Sequence, residues 1–170
     1  MNNITIERST KAYYSTTTLL KKLGYIFQII VLKKDLVEST KTQSQALGIP
    51  LASNIYEIKR LLIVEGCPKA IETSFIPAEL IPEFYNVSLE ASALYMILSD
   101  KYNIEIDKSE ERIVLSEASR NEKELLKLKE DDVVVITGTS YDTEGRLIEL
   151  YNTVAVCDFF EFRGETYNNE

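Results

Sequence analysis

Apolar and polar positions alternate along "NIYEIKRLLIVEG", residues 54–66, and again along "CPKAIETSFIP", residues 67–77. Alternation with a period of two marks a half-buried strand, and Gly66 with Pro68 predicts a tight turn, so the two runs should pair as a hairpin. Just upstream, "LVESTKTQSQALG" at 36–48 reads as a helix, with Gly48 at its end and Pro50 beyond as stop signals.

The same order of patterns returns 79 residues later. There "NEKELLKLKEDD" predicts a short helix, "VVVITGTSYDTEG" a strand and "RLIELYNTVAVCDFF" its hairpin partner. At that offset Gly66 falls on Gly145, and Leu47 and Ile49 fall on Leu126 and Leu128. The strands ahead of each helix, "YIFQIIVL" and "IEIDKSEERIVL", follow helical stretches of their own, "STTTLLKKLGY" and "EASALYMILSDKY". An α-β-α-β-β unit written twice indicates an internal duplication. The predicted class is α+β: a six-stranded, mainly antiparallel sheet with helices packed on it and a ligand crevice at the junction of the halves.

Several positions interrupt this pattern. Arg60, Glu72 and Ser74 are polar where the first hairpin should be apolar, and solvated side chains on an open sheet face are the simplest explanation. Pro77 and Pro82 bracket "AELIPEF", so the hairpin should leave the sheet through an irregular loop able to cover a pocket. Ser88 is the expected N-cap of a helix whose stripe is Leu94, Ile97 and Leu98, with Tyr95 partly exposed. The mixed charge run "KSEERIVLSEASRNEKE" should be a solvated face with Glu110, Arg112 and Ser116 pointing one way.

Composition narrows the chemistry. At 170 residues and 45% hydrophobic content the chain is long enough for one domain with a real core. Twenty-seven acidic residues against 19 basic give a net charge of -8, which opposes binding to phosphate backbones or anionic membranes. The absence of His removes the usual general base and a common zinc ligand, so neither a metal nor a cofactor is expected. Cys67 and Cys157 lack paired spacing and fall in strand patterns, so both are expected as buried free thiols. Glu72 and Glu149 are the only candidate acid–base pair, and no partner nucleophile or phosphate-cradling glycine loop accompanies them. The longest apolar run, "YIFQIIVL", is too short to span a bilayer and the start is polar, which reads as cytoplasmic.

The ordered motifs "K-x-L-G", "A-L-G-I-P", "E-T-S-F-I-P", "A-L-Y" and "T-S-Y-D-T-E-G" before "I-E" resemble the UTRA domain. That is the effector-sensing domain of the HutC subfamily of GntR-superfamily bacterial transcription regulators, similar in fold to chorismate lyase. The resemblance covers residues 19–163, leaving 1–18 as a linker or partial first helix and 164–170 as a disordered tail. It implies a homodimer that binds a small-molecule effector, a sugar, sugar phosphate or organic acid, and that meets DNA only through an N-terminal winged helix-turn-helix absent from this chain.

By resemblance, the ligand-binding residues are Arg60, Glu72, Ser74, Ala93, Tyr95, Glu149 and Tyr151, with no catalytic residue. Arg60 matches the first Arg of an "R-L-R" strand motif, Tyr95 the Tyr of "S-L-Y", and Glu149 the Glu of the last hairpin. Leu62 stands where the second Arg falls and Ala93 where the Ser falls, and Val156-Cys157-Asp158 replaces a frequent "R-G-D". Two donors suited to a phosphate are therefore missing. The alternative implied by the fold is a lyase acting on a small carboxylate substrate, which would need at least two buried arginines.

Overall fold

The computed structural model describes residues 4–9, 14–89 and 93–166. Its first half runs through α1 (Thr16–Leu23), β2 (Phe27–Glu38), α2 (Lys41–Leu47), β3 (Asn54–Val64) and β4 (Cys67–Pro77). The second half repeats the order with α3 (Leu94–Tyr102), β5 (Ile106–Glu117), α4 (Arg120–Leu126), β6 (Asp132–Asp142) and β7 (Leu147–Val156). Two short strands, β1 (Ile6–Ser9) and β8 (Phe160–Arg163), pair in parallel beside these units. Residues 6–9, expected within a linker or partial first helix, form a strand whose Ile6 is buried with Ile4 against Phe159 and Phe160.

The six long strands form one antiparallel sheet in the order β2-β3-β4-β7-β6-β5. The halves meet at its centre, where β4 pairs with β7. The duplication extends to the caps. Thr40 and Gln43 form a capping box on α2, and Ser119 and Glu122 form the same box on α4. Such a box satisfies orphan N–H groups that a short helix cannot satisfy internally. Gly66 and Gly145 sit at φ 77° and 78° in the two hairpin turns, a left-handed conformation that glycine adopts without strain.

Because side chains alternate along a strand, Tyr56, Ile58, Arg60 and Leu62 of β3 share one face. On that face two apolar clusters form at opposite ends. One joins Leu62, Ala70, Ile136 and Ala155 to Leu20 of α1 and to β1 and β8. The other joins Tyr56, Ile58, Ile76 and Ile148 to Leu94, Ile97 and Leu98 of α3. The opposite face carries Leu61, Ile71, Val133 and Val154 beneath Leu126 of α4. α4 lies against β4 and α2 against β7, so each half's short helix leans on the other half's hairpin.

Three local expectations are corrected. Helix α3 starts at Leu94 with Ala93 at its N-cap, not at Ser88, which is exposed in the preceding loop. The intervening residues 90–92 lie outside the described residues, as do 167–170 of the expected tail. The loop after β4 forms two 3₁₀ turns, Ala78–Leu80 and Phe84–Asn86. It does not cover the cleft described below, because Ile81 and Phe84 are drawn into the α3 cluster and Lys34 donates to the carbonyls of Tyr85 and Val87 at 2.6 and 2.7 Å. Cys67 and Cys157 are exposed, since each falls at a strand end by a turn, beyond the reach of the core. Glu110, Arg112 and Ser116 are solvated as expected.

Candidate functional site

Between the two apolar clusters the covered face of the sheet turns polar, and there it opens into a cleft with a cavity volume of about 50 Å³. Its floor is Arg60 of β3, Glu72 and Ser74 of β4, and Glu149, Tyr151 and Thr153 of β7. The first turns of α1 and α3 form its walls through Ser15, Thr16, Thr17, Leu94 and Tyr95. Arg8 of β1, Tyr14, Thr73 and Glu111 of β5 complete it. Both halves contribute matched positions: Glu72 and Tyr151, Ser74 and Thr153, and Thr16 and Tyr95 are each related by the internal repeat. The crevice therefore lies at the junction of the halves, as the sequence led us to expect.

Arg60 answers the charge of Glu72 across the β3–β4 ladder, with Nη2 donating to Oε2 at 3.0 Å. The two side chains are 9% and 15% exposed, too enclosed for solvated surface charges. Arg60 Nε is buried without a hydrogen-bond partner, in a side chain that forms part of the cleft floor. A buried guanidinium N–H without a partner is costly, and a ligand acceptor in the cleft would satisfy it.

Glu149 is buried under three hydroxyls. The Tyr95 hydroxyl donates to its Oε2 at 2.5 Å and Ser140 Oγ at 3.2 Å, while the Ser74 hydroxyl bonds the same carboxyl. Burial pushes this carboxyl above the usual range, against the opposing pull of those hydroxyls and of the Arg60 charge. Tyr95 is also within 3.1 Å of Ser140 Oγ, so the start of α3 is tied to both β6 and β7.

At the other end, Tyr151 donates to Glu111 Oε1 at 2.6 Å and meets Ser109 Oγ. Arg8 reaches the same Glu111 oxygen through Nη2. The Tyr151 ring can lie there because position 138 is glycine: a Cβ at Gly138 would come within 2.6 Å of the ring and of the Glu110 carbonyl.

Of the residues singled out from sequence, Arg60, Glu72, Ser74, Tyr95, Glu149 and Tyr151 converge on this cleft. Ala93 does not line it; the residue is buried at the start of α3, where its carbonyl accepts from Met96 and Ile97. Sequence reasoning missed Arg8, Ser140, Glu111 and the Ser15–Thr17 turn. Ser15 carried a signal, since a Ser ahead of an apolar run is an N-cap, and its side chain accepts from Thr18 N–H. Glu111 carried none, being one charge in a run of mixed sign. Among the described residues no group of His, Cys, Asp and Glu suits a metal ion, and no helix is long and apolar enough to cross a membrane.

Comparison with known proteins places this architecture. The UTRA domain pattern matches residues 22–161. The HTH-type transcriptional repressor NagR of Bacillus subtilis is 27% identical over 163 residues, 95% of this chain and 64% of the relative's length. The chain therefore spans under two thirds of that relative. Among solved structures, PhnF of Mycobacterium smegmatis superposes with a TM-score of 0.86 at 18% identity, over 97% of this chain and 73% of the other. The effector domain of PhnF alone gives 0.85 at 18% identity, over 96% of this chain and 100% of that domain. A GntR-family regulator from Bacillus cereus gives 0.71 at 23% identity, over 83% and 99%. The chorismate-lyase-like fold is thus shared, and the chain belongs to the UTRA family, the effector domains of GntR-type transcription regulators.

Proposed function

We propose that this domain holds a small polar metabolite, a sugar, sugar phosphate or organic acid, in the cleft between its halves and so controls a DNA-binding partner domain. The observation that carries this reading is Arg60: a buried side chain of the cleft floor whose Nε has no acceptor. Arg60, Glu72, Ser74, Tyr95, Glu149 and Tyr151 make up the ligand shell, with Ala93 setting the start of α3 behind it. A helix-turn-helix like that named for the relative from Bacillus subtilis belongs to the assembled regulator. With a net charge of -8 this domain is itself unsuited to a phosphate backbone.

The regulator works in the cytoplasm as a homodimer, and the effector acts by preferring one arrangement of the two copies. Long sheet-edge strands needing cover support pairing of copies. A monomer by light scattering at micromolar concentration counts against it.

A lyase reading needs two guanidiniums available to a dicarboxylate, and each cleft arginine already faces a glutamate of the fold. Release of pyruvate from chorismate by the purified chain would overturn our choice.

The sensing reading is tested by a thermal-shift screen of sugars, amino sugars, their 6-phosphates and organic acids, on the wild-type chain and on Arg60→Ala/Glu72→Ala. A ligand that binds only the folded state raises Tm by mass action. A rise confined to the wild-type chain is the expected result. Equal rises in both, or none across the panel, remove the cleft as the sensing site.

A further inference from the structure

The cleft holds arginines, yet it does not offer their charge. Resting on the sensing role proposed above, we infer that the cleft takes an uncharged, hydroxyl-rich ligand and turns away phosphate esters, because Glu72 and Glu111 occupy both of its guanidiniums. Arg60 is paired with Glu72, and Arg8 with Glu111 while also lying 5.3 Å over the Phe160 ring. Glu111 Oε1 further accepts from Tyr151, which fixes the carboxylate where Arg8 meets it. Among the described residues lining the cleft no other cation faces the cavity, whereas a third carboxyl, Glu149, does.

A phosphate dianion entering here meets two carboxylates for its two guanidiniums. To gain a forked arginine contact it must displace Glu72, which is then left enclosed without its arginine, or Glu111, which is more exposed but still loses its bond to Arg8 and stands as a like charge beside the phosphate. What the cleft does offer is a mixture of single donors and acceptors. The carboxylates keep lone pairs for hydroxyl donors, Ser15, Thr16 and Thr17 add hydroxyls at the α1 start, and Arg60 keeps one unpartnered, buried N–H at Nε. A sugar hydroxyl donates and accepts at once and so matches such a surface, where a phosphate only accepts.

The two glutamates thereby become determinants of specificity, and Glu111 reaches the site from an edge strand of the sheet. The decisive experiment titrates inorganic phosphate and glucose 6-phosphate, with glucose as the neutral control, into the wild-type chain and Glu72→Gln/Glu111→Gln at constant ionic strength. Calorimetry and Tm are both recorded, and the Tm without ligand verifies that the variant folds. Glutamine keeps the shape and one acceptor oxygen while releasing the arginines. The expected result is no phosphate binding by the wild type and a gain of roughly tenfold or more in the variant.

Phosphate or phosphosugar binding by the wild type overturns the inference and leaves the sensing role standing. A folded variant that gains nothing overturns it too, because the pairing then is not what withholds the charge. Absence of any response in the wild-type chain to these probes and to the sugars and organic acids of the thermal-shift screen alike removes the sensing role itself.

Discussion

Tyr95 and Glu149 are joined by a 2.5 Å hydrogen bond that ties the first turn of α3 to β7 across the cleft. The bond matters because Glu149 is buried, so its carboxyl is held by hydroxyls rather than water.

The raised affinity of Glu149 for its proton sets a pH dependence. A carboxyl whose folded value lies above its ordinary 4.5 contributes most below that value, and its contribution is lost as pH rises through the folded value. Glu149→Gln should therefore hold or raise Tm at neutral pH and flatten the decline of stability above 4.5. Glu149→Ala leaves three hydroxyls facing a void and should cost about 1–3 kcal/mol. Urea titrations at a series of pH values separate the two, and a Gln variant that melts well below wild type at neutral pH defeats the argument.

Arg60 and Glu72 make a second test, one in which stability and binding part ways. Arg60→Ala strands an enclosed carboxylate and should cost about 3–5 kcal/mol, whereas Arg60→Leu/Glu72→Leu removes both charges and should fall near wild type. The same double variant should lose the ligand-induced rise in Tm. If the double variant is as unstable as the single one, the pair is not a compensated ion pair.

Asp142 anchors the β6–β7 turn. It accepts the backbone N–H groups of Glu144 and Arg146 at 3.0 and 2.8 Å and Arg146 Nε at 2.7 Å. Burial pushes its carboxyl up, but these donors outweigh burial and hold it below its ordinary 3.8. A depressed carboxyl stabilises above its unfolded value, and that stability is lost as pH falls through the folded value. Asp142→Ala should cost about 1–3 kcal/mol at neutral pH and reduce the loss of stability on acidification. An Ala variant with an unchanged acid transition counts against the assignment.

The fold could be read from the sequence because the repeat multiplies weak signals: one Gly in a turn says little, but Gly66 and Gly145 at the same offset, each after a strand pattern, specify two hairpins. Polar residues within those hairpins, Arg60 and Glu72 above all, then stand out as site candidates. What could not be read was set by packing between distant segments. The α3 start was misplaced because Ser88 has the cap chemistry, while burial of Ala93 and Leu94 fixes where the helix begins. Arg8 and Glu111 come together from 103 residues apart, with no periodicity to link them. The cysteines fell in strand patterns, and only the turn geometry shows that their positions protrude.

Gly138 is the position at which sequence gave least warning and the structure most. The residue sits in mid-strand, where glycine ordinarily weakens a sheet, and its missing side chain is the space into which Tyr151 leans. An added Cβ would lie 2.6 Å from both the Tyr151 ring and the Glu110 backbone carbonyl. The ring can rotate away but the β5 backbone cannot, so Gly138→Ala should cost about 1–3 kcal/mol and move Tyr151 off Glu111. Gly138→Ala/Tyr151→Phe tests whether the hydroxyl matters, since the ring clash remains while the bond to Glu111 is gone. Gly138→Ala/Tyr151→Ala removes the clash with the ring and should recover part of the stability but none of the ligand response. A Gly138→Ala chain with wild-type stability and an unchanged ligand-induced rise in Tm would show that Tyr151 has another place to lie and that its seat over β6 is not required.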